Sequence, residues 1–203
     1  MHRCFIFGAL PVKKLFERPE KDDLVIAADK GFDEAVKLGF LPDILIGDFD
    51  SIKREPDFEN KIRLNVRKDD TDIEHAINFA MNKGYDRFIV YGAVGGLLDH
   101  TFANIQLASL IADRHGRSVF YGNDESFTVV KNSSFGFSKR DKGRVSVFAL
   151  SQRCEGVNIS GLSYEAENLT LERRVPTGVS NEFIGKDASI SVERGELLII
   201  WQT

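Results

Sequence analysis

The sequence predicts an α/β N-terminal domain with a mainly parallel, Rossmann-like sheet, followed by a C-terminal all-β antiparallel sandwich. Three observations carry this expectation. Through the first 120 or so residues, short apolar runs alternate with segments of helical period. From about Glu125 onward, apolar and polar residues alternate one by one, in short segments broken by glycine. Between the two lies the turn cluster Gly122-Asn123-Asp124, which sets the expected domains at 1–122 and 123–203.

In chain order, Cys4–Phe7, Leu24–Ala28, Ile44–Ile46, Phe88–Tyr91 and Ser118–Tyr121 read as buried strands, because each is a short apolar run with no polar face. Phe32–Leu38 has helical spacing and stops at Gly39, a residue suited to end a helix. Ile73, Ala76, Ile77 and Ala80 share one helical face, as do Phe102, Ile105, Ala108, Ile111 and Ala112. In the second half, Val145, Val147 and Ala149 alternate with their neighbours, as do Ile190 and Val192, and 168–172 follows the same period.

The bulk numbers exclude several function classes. A formal net charge of -4 leaves no basic footprint for nucleic acid and none for an anionic membrane. The two cysteines, Cys4 and Cys154, are too few and too far apart for a disulfide framework, so a reducing, cytoplasmic location is expected. The start of the chain lacks the charged-then-apolar pattern of a signal peptide, and no apolar run reaches membrane-spanning length.

Acids gather where strands end. In "DILIGDFDSI" Asp48 and Asp50 follow a buried strand and, in an extended chain, would point to the same side. Two carboxylates about 4 Å apart repel by about 4 kcal/mol at an effective dielectric of about 20, a cost that a bound cation removes. Mg²⁺ takes oxygen ligands, commonly carboxylates together with substrate phosphates. The alternative is that both acids satisfy turn backbone groups. Asp29 ends the preceding strand in "VIAADKG", and "RKDDTDIEHA" adds Asp69, Asp70 and Asp72 at a helix start. There Thr71 and Glu74 also form a capping box, which would account for the acids structurally. "GAVGGLLDHTFAN" then places Gly92, Gly95 and Gly96 before a helix, where backbone amides approach a ligand and the helix end favours phosphate; Asp99 could equally cap that helix. The chain has no G-x-x-x-x-G-K-[ST], G-x-G-x-x-G or G-x-S-x-G motif and no zinc spacing among its four histidines.

Taken together, "AADKGFDEAVKLGFLPDILIGDFDSI", "KDDTDIEHAI", "GAVGGLLDHTFANIQL", "GLSY" and "GVSNEF" resemble the thiamine pyrophosphokinase family, in the family's order and over nearly the whole chain. The resemblance implies transfer of a diphosphoryl group from ATP to thiamine, giving thiamine diphosphate and AMP, by a Mg²⁺-dependent homodimer. It implies a nucleotide- and Mg²⁺-binding catalytic domain over 1–122 and a thiamine-binding and dimerisation domain over 123–203. Motif by motif, it implies Asp29, Asp48, Asp50 and Asp72 as metal ligands, with Asp50, Asp72 and Asp99 in catalysis. Gly95, Gly96, Asp99 and Lys68 would lie on the nucleotide, and Tyr164, Ser180, Asn181 and Asp69 on the acceptor.

Two positions depart from the family pattern. Leu97 stands where the family commonly has an arginine able to grip phosphate bidentately, and Lys30 replaces a frequent glycine. Lys30 or Lys68 is the expected substitute cation. The rival expectations are a diphosphokinase acting on another alcohol such as a hydroxymethylpterin, a haloacid-dehalogenase-type phosphatase, and a non-catalytic binder of nucleotide or thiamine.

Overall fold

The structure, a computed structural model, describes residues 2–49, 58–64 and 71–203. The chain divides into two compact units, residues 1–107 with 118–123 and residues 108–117 with 124–203. The last turns of the third helix thus group with the second unit, although they precede the turn cluster at 122–124.

In the first unit β1 (Arg3–Phe7) pairs in parallel with β2 (Leu24–Ala28) and with β5 (Arg87–Tyr91). β2 pairs in parallel with β3 (Ile44–Gly47), and β3 with the short β4 (Lys61–Arg63). With β6 (Arg117–Tyr121), the order is β6-β5-β1-β2-β3-β4. Among the described residues the helices are α1 (Gly31–Lys37), α2 (Asp72–Asn82) and α3 (Leu98–Asp113). Cys4, Phe5, Ile6 and Phe7 are all 0% exposed, so β1 is covered on both faces, as its unbroken apolar run requires.

The five expected strands lie where the apolar runs put them. β4 was not expected, since its "KIR" carries no buried stripe and is held as a strand only by pairing with β3. On α2 Ala76, Ile77 and Ala80 of the expected face are fully buried, while Ile73 is only partly so. On α3 the expected face holds at Ala108, Ile111 and Ala112 but not at Phe102. Phe102 is 60% exposed, while Asn104, Leu107, Ala108, Ile111 and Ala112 turn inward. The apolar count favoured Phe102, but the polar Asn104 marks the inner side.

The second unit contains two sets of antiparallel strands. One runs β12 (Gly178–Glu182), β9 (Arg144–Ala149), β14 (Glu196–Gln202), β7 (Glu125–Lys131). The other runs β11 (Ala166–Glu172), β10 (Arg153–Ser160), β13 (Lys186–Ser191), β8 (Ser134–Arg140). Val145, Val147 and Ala149 face inward and Ile190 and Val192 are buried likewise, so the two-residue period predicts burial correctly there. Rings from both sets meet in this core, Phe135 and Phe137 of β8 lying 5.3 and 5.2 Å from Trp201 of β14.

In the first unit, an irregular segment after β1 is tied down by aromatic and hydroxyl contacts. Phe16, Tyr121, Tyr91 and Phe7 stack in series at 5.0, 5.2 and 5.7 Å. The Tyr91 hydroxyl accepts from the backbone N–H groups of Phe16 and Glu17 at 2.9 and 2.8 Å and donates to the Glu17 carbonyl at 3.0 Å. The Glu17 carboxylate accepts from Arg87 at 2.6 Å and from the Tyr121 hydroxyl at 3.3 Å. Burial outweighs these hydrogen bonds and pushes the Tyr91 hydroxyl up to about 12 from its ordinary 10.0, while burial and the Glu17 charge raise Tyr121 as well. A phenol that holds its proton more tightly folded than unfolded contributes stability that is complete below about pH 10 and is lost as pH rises through its folded value. The urea midpoint of the protein is therefore expected to fall between pH 10 and pH 12, and to fall less steeply in Tyr121→Phe; equal slopes for the two proteins would contradict this account.

Candidate active site

The carboxyl ends of β1, β2, β3 and β5 are packed too closely for ordinary side chains. A Cβ on Gly31 would lie 1.8 Å from the carbonyl oxygen of Phe7, and one on Gly8 would lie 2.7 Å from that of Gly92. Glycine is therefore required where α1 begins and where β1 leaves the sheet. The Asp29 N–H donates to the Ile46 carbonyl at 2.8 Å, continuing the β2–β3 ladder by one residue. The chain then turns at Asp29 with φ +49°, a left-handed conformation that aspartate tolerates better than most residues. Asp29 is only 8% exposed.

Asp48 follows β3 directly. The expectation that Asp48 and Asp50 share a face involves Asp50, which lies outside the described residues. Phe49, which follows Asp48, has φ +64°. This turn buries the Phe49 ring against Ala27 and Leu45, with Phe32 and Phe58 packed alongside. Arg63 of β4 fastens the turn, its Nη1 donating to the Asp48 carbonyl at 3.1 Å and its guanidinium lying 4.9 Å from the Phe49 ring centre. Thus β4, absent from the sequence expectation, helps to hold the chain at Asp48 and Phe49. Asp50, Lys68, Asp69 and Asp70 lie outside the described residues.

At α2, Thr71 is the N-cap and its Oγ1 accepts from the Glu74 N–H at 3.2 Å, the capping half of the box that the sequence predicts. Asp72 lies in the first turn, partly buried. After β5 the chain passes Gly92, where a Cβ would lie 2.5 Å from the Gly8 carbonyl oxygen, and reaches the exposed Gly95 and Gly96 at φ +94° and +70°. Two side chains of α3 hold this loop. The buried Asn104 Nδ2 donates to the Ala93 carbonyl at 2.7 Å, and Thr101 Oγ1 lies 3.2 Å from the Leu97 carbonyl. The Asp99 carboxylate accepts from the adjacent His100 N–H at 2.8 Å. Leu97 and Leu98 are 65% and 83% exposed.

In the second unit the Tyr164 ring is 72% exposed and Asn181 is 7% exposed. Ser180, between them in the motif order, is exposed and has φ +62°. Asn181 bonds to the backbone on both sides of Tyr164, so "GLSY" and "GVSN" are adjacent in space.

Residues 16–120 match the catalytic domain of thiamin pyrophosphokinase, and residues 135–197 match its vitamin B1 binding domain. This chain belongs to the thiamin pyrophosphokinase family. A thiamine pyrophosphokinase of Bacillus subtilis is 26% identical over 193 residues, covering 91% of this chain and 89% of that one. The crystal structure of a Bacillus subtilis thiamine pyrophosphokinase has the same fold, with a TM-score of 0.87 at 23% identity over 99% of both chains. That of the Geobacillus thermodenitrificans thiamin pyrophosphokinase superposes with a TM-score of 0.82 at 25% identity, over 99% of this chain and 97% of that one.

Sequence reasoning missed Arg63 and Asn104. Asn104 did carry a signal, being a polar residue in register with the inward positions of an apolar helix. Replacing it with alanine leaves the Ala93 carbonyl without this partner, which for a buried group costs about 1–3 kcal/mol. Asn104→Ala is thus expected to lower the urea midpoint and to speed amide hydrogen exchange over 93–97. Parent-like exchange there would show that Asn104 does not anchor the loop.

Proposed function

We infer that this chain transfers the terminal diphosphoryl group of ATP to the hydroxyethyl oxygen of thiamine. The observation that carries this is the ordered pair of family matches, catalytic over 16–120 and vitamin B1 binding over 135–197. The second match favours thiamine over a pterin alcohol as acceptor. In the reaction the alcohol oxygen bonds to the β-phosphorus and the bond from that phosphorus to the oxygen shared with the α-phosphate breaks. AMP leaves with that oxygen, and the alcohol proton is released.

Such a transfer asks the protein for positioning and charge neutralisation more than for covalent chemistry. Asp29 and Asp48 follow adjacent parallel strands, so two carboxylates stand at neighbouring positions of one sheet edge. This all-oxygen donor set suits a hard divalent cation, and the carboxyl edge of a parallel sheet is where such folds bind ligands. Asp29, Asp48, Asp50 and Asp72 would hold Mg²⁺. When bound, that ion offsets triphosphate charge and favours departure of AMP.

The remaining roles belong to the protein. Gly95 and Gly96 expose backbone N–H groups to the phosphates, with Lys68 or Lys30 supplying the cation that Leu97 lacks. Asp72 and Asp99 are the candidates to accept the alcohol proton. Tyr164 offers its ring to the cationic acceptor, a contact of about 0.5–2 kcal/mol, with Ser180 and Asp69 as polar partners. The reading includes a Rossmann-like nucleotide domain over 1–122, a sandwich over 123–203 that binds thiamine and forms a homodimer, and a cytoplasmic location. Among the described residues no helix is long and apolar enough to cross a membrane.

Incubation with ATP, Mg²⁺ and thiamine is expected to yield AMP and thiamine diphosphate in equal amounts, and neither when the metal is chelated. AMP formed only with a hydroxymethylpterin would reassign the acceptor. Asp50→Asn is expected to lower kcat by on the order of 10²-fold or more with an unchanged circular dichroism spectrum. Turnover near the parent rate would remove Asp50 from the site.

A further inference from the structure

The exposed ring of Tyr164 is carried on a backbone held by one buried side-chain amide. Asn181 Oδ1 accepts from the Tyr164 N–H at 2.9 Å and from the Glu182 N–H at 2.9 Å, while its Nδ2 donates to the Tyr164 carbonyl at 2.7 Å. Both acceptor sites of the amide and one of its two N–H groups are therefore engaged within the fold. Asn181 is 7% exposed and the side chain it supports is 72% exposed.

The sequence builds this clasp from a strand irregularity. A Cβ on Gly178 would lie 2.4 Å from the Val147 carbonyl oxygen, so only glycine lets β12 approach β9 at that point. The β12–β9 register then shifts between Gly178 and Asn181. Val179 and Ser180 are consecutive exposed residues, Ser180 with φ +62° and its N–H donating to Ser146 Oγ at 3.1 Å. The bulge reverses the alternation and sends Asn181 inward. The facing loop is fixed at other points too. The Gly161 N–H donates to Glu165 Oε1 at 2.8 Å, Leu162 bridges to Phe183, and the Ser163 N–H donates to the Glu182 carbonyl at 2.9 Å.

We propose that Asn181 is a positioning residue that sets the Tyr164 ring as a preformed platform for the cationic, aromatic acceptor and acts on that acceptor only through Tyr164. The proposal rests on the reading that Tyr164 faces thiamine. A ring presented on a fixed backbone spares the ordering cost that a loose loop would meet on binding. That benefit falls on thiamine recognition and leaves ATP recognition untouched.

Asn181→Ala, Tyr164→Ala and the double variant test this by steady-state kinetics in each substrate, with hydrogen exchange read over 161–165. Asn181→Ala is expected to raise the KM for thiamine roughly tenfold, to leave the KM for ATP unchanged, and to speed exchange over 161–165. Tyr164→Ala is expected to raise the thiamine KM at least as far, and the double variant to be no worse than Tyr164→Ala. Multiplying effects, or a rise in Asn181→Ala with none in Tyr164→Ala, would mean that Asn181 meets the acceptor independently and would overturn the proposal. So would faster exchange with an unchanged thiamine KM, or unchanged exchange. If Asn181→Ala does not fold, Asn181→Asp keeps both acceptor bonds and loses the donation to Tyr164. It carries the same expectation in weaker form, and parent-like thiamine KM in it counts against the clasp. A parent enzyme that makes no AMP in response to thiamine would instead overturn the function itself, and the proposal with it.

Discussion

The space between Gly31 and the Phe7 carbonyl, where a Cβ would come within 1.8 Å of oxygen, is the constraint from which the first unit's site follows. β1 and α1 meet without an intervening side chain, and Gly8 and Gly92 bring β1 and β5 together in the same way. Because the strand ends are packed backbone to backbone, the residues that follow them have few conformations available. Asp29 and Phe49 both adopt left-handed backbone, and Gly92, Gly95 and Gly96 follow β5 with positive φ. Such conformations cost on the order of 1 kcal/mol or more for non-glycine residues and persist where surrounding structure imposes them. Here they fix the directions in which the chain leaves β2, β3 and β5.

Charge is the second constraint, and it makes the edge chemical rather than merely tight. Acids at consecutive strand ends repel one another, and repulsion of this kind grows as the surroundings become less polar. Asp29 at 8% exposure is well removed from water. On the proposed reading Asp29 and Asp48, beside the glycine loop, would receive a divalent ion together with a polyphosphate. The second unit solves a different problem, the presentation of one flat ring, by means of a bulge and a buried amide.

Much of this was legible in the sequence where one physical rule dominates. β1, β2, β3 and β5 are buried on both faces, so bare apolar runs mark them, and the two-residue period marks β9 and β13. The capping role of Thr71 follows from its position before an amphipathic segment. The rest was hidden where tertiary contacts decide. At Phe49 the backbone is left-handed and the ring packs with Ala27 and Leu45, a tertiary contact that no local rule reveals. Phe102 was read inward on hydrophobicity with Ala108, Ile111 and Ala112; those three are buried, but at the start of α3 Asn104, bonded to the Ala93 carbonyl, lies inward and Phe102 does not. β4 has no sequence signature, although its Arg63 braces the acid turn. Ser180 and Asn181 have the residue types of a turn, and they prove to lie in a paired strand at a register shift.

The central claim is that the strand-end acids, the metal and the nucleotide form one binding unit. Calorimetric titration with a non-hydrolysable ATP analogue tests it most directly, carried out on the parent and on Asp29→Asn and Asp48→Asn, with Mg²⁺ and with chelator. The account predicts binding by the parent only when Mg²⁺ is present, and loss of that metal dependence together with weaker binding in both variants. Equal affinity with and without metal, or variants that bind as the parent does, would contradict it.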